Sequence, residues 1–322
     1  MRTRSLGNGL ALTELGLGAA QFGNLYRATT DTEAEGAFEA AWQAGIRYFD
    51  TAPHYGLGLS ERRLGALLGT KNRDEYVLST KAGRLLVPNP GGENFQDDGG
   101  FEVPARTRRQ WDFSADGVKR SIDESLERLG LDRIDIVYLH DPDDHREPPM
   151  NEALPALLHL REEGIVTAVG AGMNQSAMPA DFIRRHDIDI VMLAGRYTLL
   201  EQGALTDLMP LAVEHGVGIV IAGVYNSGLL SRDRPAPDAK YNYERAPADL
   251  VTRAHRIADI CEQHGVSLPE AAVAFPLLHP ATVSVVVGGR TDEQVMGSVE
   301  RYQRPVPEAL WTDLRDQRLI PA

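Results

Sequence analysis

Residues 45–56 read GIRYFDTAPHYG, a short apolar run that ends on an acidic residue and continues into a loop with polar side chains. Glycine before the run and proline after it are typical of the boundaries of a buried β-strand. Similar runs recur along the chain. We identify eight of them: Leu15–Ala19, Ile46–Asp50, Tyr76–Thr80, Ile134–Leu139, Ile165–Gly170, Ile188–Leu193, Val217–Ala222 and Val283–Val287.

The segments between these runs carry apolar residues at helical spacing, and two of them begin after the candidate cap residues Thr30 and Ser114. Strands that alternate with helices form a parallel sheet, because parallel neighbours need a crossover connection. Eight repeats in 322 residues predict an α/β fold, the closed (β/α)8 or TIM barrel. We expect it to form a single domain over residues 1–322.

An open doubly wound sheet is the alternative α/β fold. It normally has five or six strands and carries a glycine-rich fingerprint in its first turn. Gly16, Gly18 and Gly23 match that fingerprint only loosely, and the acidic residue that should follow in a ribose-binding context is missing. The pattern therefore favours the barrel.

Three segments are longer than a barrel requires: residues 82–113, 223–247 and 301–322. The first two follow the third and seventh predicted strands. Long loops in these positions lie over the active end of a barrel, so we expect them to form walls of the substrate pocket. Residues 1–14 resemble a small hairpin that closes the opposite end.

Composition argues against several classes of function. The formal net charge is −13, from 33 basic and 46 acidic residues, so we expect no nucleic-acid partner. The sequence shows neither a signal peptide nor the ~20 apolar residues of a membrane span, and we expect a cytoplasmic protein. Cys261 is the only cysteine, which leaves no intrachain disulfide and favours a buried thiol.

Polar residues fall where successive predicted strands end. Asp50 ends the second run, and Tyr55 follows it in the loop. Lys81 follows the third run in LSTKAG, and His140 follows the fourth in DIVYLHDPD. Each residue alone has an ordinary interpretation, such as a turn former, a surface aromatic or a core histidine. Their coincidence at three adjacent strand ends, on the face where barrels carry their active sites, favours one functional site.

These four residue types together can transfer a proton near neutral pH. The phenol of tyrosine has an ordinary pKa of ~10, which a nearby ammonium lowers because it favours the phenolate. Lys81 would supply this charge, and Asp50 would keep Lys81 in place and cationic. A neutral His140 would donate a hydrogen bond to a substrate oxygen. We therefore expect Tyr55 to act as the general acid or base.

Other functions fit parts of this pattern. The run from His140 to His145 is rich in possible metal ligands, which would suit a metal-dependent hydrolase, but adjacent placement and a proline scatter these side chains, so we expect no metal. Lys81 as a Schiff-base nucleophile would suit an aldolase. A subunit that binds a cofactor without catalysis is a third alternative, which the presence of all four proton-handling residues disfavours.

The motifs GIRYFDTAPHYG, LSTKAG and DIVYLHDPD occur in the order found in the aldo-keto reductase superfamily, which nearly the whole chain resembles. The resemblance implies that Asp50, Tyr55, Lys81 and His140 form the catalytic tetrad of a nicotinamide-dependent oxidoreductase. It also implies that NAD or NADP is bound in an extended form without a Rossmann domain.

The resemblance assigns further residues to the cofactor. Asn174 would hold the nicotinamide carboxamide, and GGRTDEQ after the eighth run would contact the adenosine phosphates. The full set of expected cofactor contacts is Gly18, Ala19, Asn174, Tyr225, Gly288, Gly289, Arg290 and Gln294. Gln294 stands where many NADP-dependent reductases carry a basic residue, so we expect NAD rather than NADP. The chain also departs from the common cofactor pattern at Met173, Ala194, Gly297 and Ser298.

The sequences after the fourth, fifth and seventh runs are similar to the branch with D-threo-aldose (L-fucose) and L-galactose 1-dehydrogenases and pyridoxal 4-dehydrogenase. This similarity predicts oxidation of a cyclic aldose at C1 to the lactone. Oxidation of pyridoxal, or reduction of aldehydes and ketones in general, is the alternative. The expected substrate contacts are Phe22, Trp111, Asp141 and Asn226.

Overall fold

The structure is a computed structural model that describes residues 1–145, 147, 149–236, 238–241 and 244–321. Eight parallel strands form a closed barrel, in which each strand pairs with the next and the last pairs with the first. With numbering that counts every strand of the chain, they are β3 (Leu15–Gly18), β4 (Tyr48–Asp50), β5 (Val77–Ala82), β8 (Ile136–His140), β9 (Ala168–Met173), β10 (Ile190–Ala194), β11 (Gly218–Ala222) and β14 (Thr282–Gly288). The prediction of a (β/α)8 barrel is confirmed.

Helices surround the barrel. They are α1 (Asp31–Gln43), α2 (Leu59–Leu68), α3 (Ala115–Leu129), α4 (Leu154–Glu162), α5 (Ala177–Arg185), α6 (Leu208–His215), α7 (Ala248–Gln263), α8 (Leu268–Ala274), α9 (Asp292–Gln303) and α10 (Glu308–Asp316). Thr30 caps α1 and Ser114 caps α3, as predicted, each by accepting a hydrogen bond from a backbone N–H of the first turn. None of the helices among the described residues has the length and apolar character needed to span a membrane.

The predicted strand positions agree with the barrel except at the fifth strand. The run Ile165–Gly170 was expected to be this strand, but β9 begins three residues later, at Ala168. Ile165 is 46% exposed and lies just after α4, where its N–H donates to the carbonyl oxygen of Leu160. The first apolar residues of the run therefore complete a turn rather than a strand.

A hairpin closes the amino-terminal end of the barrel, as predicted from residues 1–14. Its strands are β1 (Thr3–Ser5) and β2 (Ala11–Thr13). Leu6 and Leu12 are buried against the side chains that fill this end of the barrel. A Cβ atom at Gly218 would lie 2.2 Å from Leu6 Cδ2, so a larger residue there would force the Leu6 side chain to move.

The loops predicted over the opposite end contain further strands. The segment 82–113 forms an antiparallel ribbon of β6 (Arg84–Pro88) and β7 (Thr107–Trp111), and the segment 223–247 contains the short pair β12 (Lys240–Tyr241) and β13 (Glu244–Arg245). The β6–β7 ribbon was not predicted, because a hairpin is recognised in sequence by a short turn between its strands, and here residues 89–106 separate them. It brings two arginines, Arg84 and Arg109, to the mouth of the barrel.

Candidate active site

The four residues predicted to act together lie at the carboxyl end of the barrel. Asp50 and His140 are the last residues of β4 and β8, Lys81 lies near the end of β5, and Tyr55 lies in the loop after β4. Tyr55, Lys81 and His140 line a cavity of about 410 Å³, while Asp50 is buried beneath it. The structure thus brings the predicted set together on one side of the barrel mouth.

Lys81 and Asp50 form a buried ion pair. Lys81 Nζ lies 2.7 Å from Asp50 Oδ2 and donates a second hydrogen bond, of 2.9 Å, to the carbonyl oxygen of Thr51. Their side chains are only 2% and 4% exposed. Burial alone would lower the pKa of Lys81, but Asp50 and Tyr55 outweigh it, so the pKa is raised and the side chain stays an ammonium.

A chain of buried hydroxyls supports the ion pair from below. Ser79 donates to Asp50 Oδ1 at 2.7 Å and lies 3.1 Å from the hydroxyl of Tyr48, which in turn lies 3.0 Å from that of Tyr138. Both carboxylate oxygens of Asp50 therefore have a partner. A fully bonded buried carboxylate holds its position, which fixes where the Lys81 ammonium lies.

Two glycines fix the backbone around Tyr55. The loops after β3 and β4 touch at Gly23 and Gly56, where a Cβ on Gly23 would lie 2.6 Å from the carbonyl carbon of Tyr55. Gly56 has φ of 62°, and a Cβ on it would lie 2.2 Å from the Gly23 carbonyl oxygen. This close approach holds the Tyr55 ring with its centroid 4.8 Å from Lys81 Nζ.

The net pKa shift of Tyr55 is opposite to the one expected. Burial raises the pKa of Tyr55 above its ordinary value, and the opposing pull of Lys81 is real but smaller. The predicted influence of Lys81 therefore has the right sign, but the phenol remains protonated at neutral pH in the protein alone. In this protonation state Tyr55 can donate a proton, and it must lose that proton before it can accept one.

His140 is held as a neutral imidazole. Burial lowers the pKa of His140 well below its ordinary value, and the neighbouring cations Arg84 and Lys81 lower it further. Its ring is perpendicular to that of Tyr55, with the centroids 5.9 Å apart. The two side chains thus present a phenol and a neutral imidazole to the same cavity.

A family model described as the aldo/keto reductase family matches residues 14–316, which contain all the barrel strands and the four residues described above. This chain belongs to the aldo/keto reductase family. It is 52% identical to D-threo-aldose 1-dehydrogenase of Pseudomonas sp, over 97% of this chain and 96% of that protein. It is 39% identical to pyridoxal 4-dehydrogenase of Microbacterium luteolum, over 98% of this chain and 97% of that protein.

A solved structure shares the fold over the whole chain. The holo form of an aldo-keto reductase from Bacillus halodurans superposes with a TM-score of 0.77 at 26% identity, covering 100% of this chain and 97% of that one. The predicted family is therefore confirmed. As a member of the aldo/keto reductase family, the protein is an oxidoreductase that acts on CH–OH and C=O groups of small molecules and uses a nicotinamide cofactor.

His54 is a residue of this aldo/keto reductase site that the sequence interpretation missed. Its ring lines the cavity with its centroid 5.5 Å from that of His140. Burial lowers the pKa of His54 to about 2, helped by Arg84 and Arg109. The only sequence signal for a role of His54 in the site was its position directly before Tyr55. A single histidine in a loop has no spacing pattern that would distinguish it from a surface residue.

Asp141 and Asn174 line the cavity, as expected of substrate and cofactor contacts. Asp141 has φ of 42° and accepts hydrogen bonds from Arg84 Nη2 at 2.5 Å and from Asn174 Nδ2 at 3.3 Å. The Arg84 pair was not predicted because it joins two loops that are distant in sequence. It fixes Asp141 beside His140, whose Nε2 lies 3.6 Å from the carboxylate.

The other predicted substrate contacts do not form part of the described cavity wall. Phe22 is fully buried in the core. Trp111 is 42% exposed and packs against Arg84, whose guanidinium carbon lies 4.4 Å from the ring centroid. The amide of Asn226 is engaged by Thr198 and Gly195, which ties two loops together. Direct contact of these three with substrate stays a prediction, which this arrangement does not support.

The predicted cofactor contacts lie in different parts of the structure. Gly18 and Ala19 are packed in the barrel wall at the end of β3, and Tyr225 lies outside the cavity wall, where its hydroxyl accepts a hydrogen bond from Arg301 of α9. Four more of the predicted contacts lie at or near the turn from β14 into α9: Gly288, Gly289, Arg290 and Gln294.

The residues of this turn fit the phosphate-bearing part of a nicotinamide nucleotide. Gly288 is exposed, and α9 begins four residues later, after its cap residue Thr291. The amino terminus of a helix carries backbone N–H groups without intrahelical partners and suits an anion. Among the described residues, buried Gln21 Oε1 beside Gly288 and buried His140 Nδ1 in the cavity have no hydrogen-bond partner. A ligand that spans from the cavity to this turn would supply polar groups at both places.

The two rival chemistries receive no support from the site. Among the residues that the structure describes, no three His, Cys, Asp or Glu side chains are grouped as metal ligands. A Schiff-base nucleophile must be a neutral amine, whereas the pairing of Lys81 with Asp50 raises the pKa of Lys81.

The lowered pKa of His54 predicts a pH-dependent contribution to stability. The ordinary pKa of histidine is ~6.5, so the unfolded chain binds a proton below that pH while the folded protein does not. Stability from this group is complete above pH 6.5 and falls as the pH decreases. In His54→Gln, the difference in unfolding free energy between pH 7.5 and 5.5, measured with urea, should shrink by about 1.4 kcal/mol. An unchanged difference would contradict a buried, neutral His54.

Proposed function

We propose that the protein oxidises a neutral cyclic aldose at C1 to the lactone, with Tyr55 transferring the proton. The observation that carries the choice of substrate class is the pairing of the cations at the mouth. Lys81, Arg84 and Arg109 lie 2.7, 2.5 and 2.5 Å from the carboxylates of Asp50, Asp141 and Asp97, respectively. Since each of these charges is already balanced, the site is suited to a neutral polyhydroxylated molecule rather than to a phosphate or an acid.

In the proposed reaction the substrate oxygen lies between Tyr55 and His140. The neutral His140 imidazole donates a hydrogen bond to that oxygen and orients it. In the oxidation, the Tyr55 phenol first releases its proton to solvent, and the resulting phenolate, stabilised by the Lys81 ammonium, takes the proton of the substrate hydroxyl. In the reverse reduction the phenol gives that proton to the carbonyl oxygen. A bound nicotinamide would supply the hydride acceptor for the oxidised carbon. Asn174 at the cavity rim would hold its carboxamide.

The 52% identity with D-threo-aldose 1-dehydrogenase supports an aldose as substrate. Pyridoxal is the second candidate, since the chain is 39% identical to pyridoxal 4-dehydrogenase and pyridoxal also lacks a phosphate. The cavity contains aromatic groups from His54, Tyr55 and Phe101 that would suit a flat ring as well as the apolar face of a sugar. Both molecules therefore belong in the test.

We further propose that NAD is preferred over NADP. The guanidinium of Arg290 donates hydrogen bonds to the carbonyl oxygens of Leu25 and Arg27 and to the Thr29 hydroxyl. These bonds hold the loop after β3 against the end of β14, so the one arginine of the GGRTDEQ segment is already engaged. Gln294 is neutral and accepts from the Arg290 backbone N–H. Neither side chain offers an uncommitted positive charge to the extra phosphate of NADP.

The substrate proposal is tested by following reduced nicotinamide with L-fucose, D-arabinose, L-galactose and pyridoxal, each with NAD and with NADP. We expect turnover of at least one aldose, at a kcat/KM above that for pyridoxal. We also expect kcat/KM with NAD to be more than about tenfold above that with NADP, which corresponds to about 1.4 kcal/mol. Absence of turnover with every aldose would eliminate the sugar assignment, and turnover of pyridoxal alone would establish the alternative.

The proton-transfer role is tested by Tyr55→Phe. We expect turnover to fall by about 10²–10⁴-fold, because the proton carrier is lost, while the dissociation constant of reduced nicotinamide measured by fluorescence changes little. Tyr76→Phe is the matched control, since Tyr76 directly precedes β5 and does not line the cavity. Near-normal turnover of Tyr55→Phe would refute the assignment.

A further inference from the structure

His54 is placed in the cavity by the chain on both sides of it. Pro53 precedes it, Tyr55 follows it, and its carbonyl oxygen accepts a hydrogen bond of 2.9 Å from Arg109 Nη2. The ring is perpendicular to that of Phe101, with the centroids 5.2 Å apart. His54 is thus held between Phe101 and His140 rather than free to move into solvent.

The two imidazoles share an unmet hydrogen-bonding need. The Nδ1 atoms of His54 and His140 are both buried, and neither has a hydrogen-bond partner among the described residues. Burying a polar atom without a partner is unfavourable, so buried polar groups in folded proteins are nearly always bonded. Both rings also line the same cavity, with their centroids 5.5 Å apart, so a ligand with neighbouring hydroxyl groups in that cavity would lie beside both imidazoles.

The environment of His54 specifies the kind of group it would bind. Burial and the surrounding cations keep the imidazole neutral, so it offers one donor and one acceptor. A hydroxyl also donates and accepts, whereas a carboxylate or phosphate would require a donor at every contact. The nearest cations, Arg84 and Arg109, are paired with Asp141 and Asp97 and do not favour an anion here.

From this geometry we propose that His54 is a specificity-determining residue that binds the substrate hydroxyl on the carbon next to the reacting carbon. This proposal rests on the proposed function. Tyr55 and His140 take the oxygen of the reacting carbon. His54 adjoins both, with ring centroids 5.9 Å from Tyr55 and 5.5 Å from His140. Oxygens on neighbouring carbons of a sugar are close enough for adjacent imidazoles to bind one each.

A hydrogen bond from His54 to the neighbouring hydroxyl would allow the site to discriminate against simple aldehydes. A substrate that lacks the neighbouring hydroxyl would leave the His54 imidazole without this hydrogen bond, and a site built to bind a hydroxyl rejects the analogue without it. The hydroxyl would therefore raise kcat/KM. Phenylalanine at this position would keep the ring contacts with Phe101 and His140 but could not make the bond.

The test compares D-arabinose with 2-deoxy-D-ribose, which is the same sugar without the hydroxyl at C2. The wild-type protein should prefer D-arabinose by at least about tenfold in kcat/KM. In His54→Phe we expect kcat/KM for D-arabinose to fall by about tenfold or more and that for 2-deoxy-D-ribose to change less than about threefold, so that the preference is lost. His54→Gln, which keeps a donor and an acceptor, should restore part of it.

The matched control is His145→Phe, the same substitution at a histidine that packs on Trp111 and Phe113 outside the cavity wall. It should leave the preference for D-arabinose intact. Three outcomes would overturn the proposal: no preference in the wild-type protein, an equal loss on both sugars in His54→Phe, or no loss on D-arabinose.

A failure of the aldose assignment itself is recognised separately. If the wild-type protein oxidises none of the aldoses, L-fucose and L-galactose included, the proposed function fails. The role of His54 is then decided in the reductive direction, with lactaldehyde and propanal as the pair that differs by one neighbouring hydroxyl. The same loss of preference in His54→Phe would support the inference, and equal effects on both aldehydes would overturn it.

Discussion

The buried ion pair between Lys81 and Asp50 is the interaction on which the arrangement of the site depends. Removing two charges from water is costly, and only close geometry with further hydrogen bonds offsets the cost. Here the pair is 2.7 Å apart, Thr51 accepts from the ammonium, and Ser79 donates to the second carboxylate oxygen. Loss of one partner would leave an unpaired buried charge, at a cost of about 3–5 kcal/mol.

The barrel supplies this geometry through register. Asp50 on β4 pairs with Ser79 on β5, and Lys81 follows two residues later on the same face of β5. Successive inward-facing positions of one strand thus provide the serine and the lysine for a carboxylate on its neighbour. Tyr55 and His140 then need only approach the ammonium from the adjacent loop and from the end of β8.

Around this centre the charged groups are balanced in pairs. Arg84 is held by Asp141 and Arg109 by Asp97, and both arginines belong to the β6–β7 ribbon. Both arginines help to lower the pKa values of His54 and His140. Each arginine is also paired with a carboxylate, so neither is an unpaired cation. The cavity is consequently polar without a net demand for an anion, which is the property expected of a site for a neutral sugar.

The barrel and the four proton-handling residues could be predicted from sequence because their signals are local. A buried strand is a short apolar run, and the residue that ends it is at the active end of any parallel barrel. The fifth strand was misplaced because Ile165 looks like strand but completes a turn after α4. Its exposure depends on the helix before it, which a short window does not contain.

The rest of the site depends on contacts between segments that are distant in sequence. The pairing of Arg84 with Asp141 arises only when β6 and the loop after β8 meet. Phe22 and Asn226 occupy loops where a ligand contact was reasonable, but core packing and the bond to Thr198 direct their side chains elsewhere. The direction of the Tyr55 pKa likewise required the depth of burial, which sequence does not give.

The most direct test of this account is a measurement of the pKa of Tyr55 by carbon-13 NMR on protein with ring-labelled tyrosine. The Tyr55 signal is assigned as the one that disappears in Tyr55→Phe. The comparison is between the wild-type protein and the double variant Asp50→Asn, Lys81→Met, which removes both charges together. Because the lowering of the pKa by Lys81 exceeds the raising by Asp50, we expect the pKa of Tyr55 to rise in the variant. A pKa that is unchanged or falls would contradict a site organised by this ion pair.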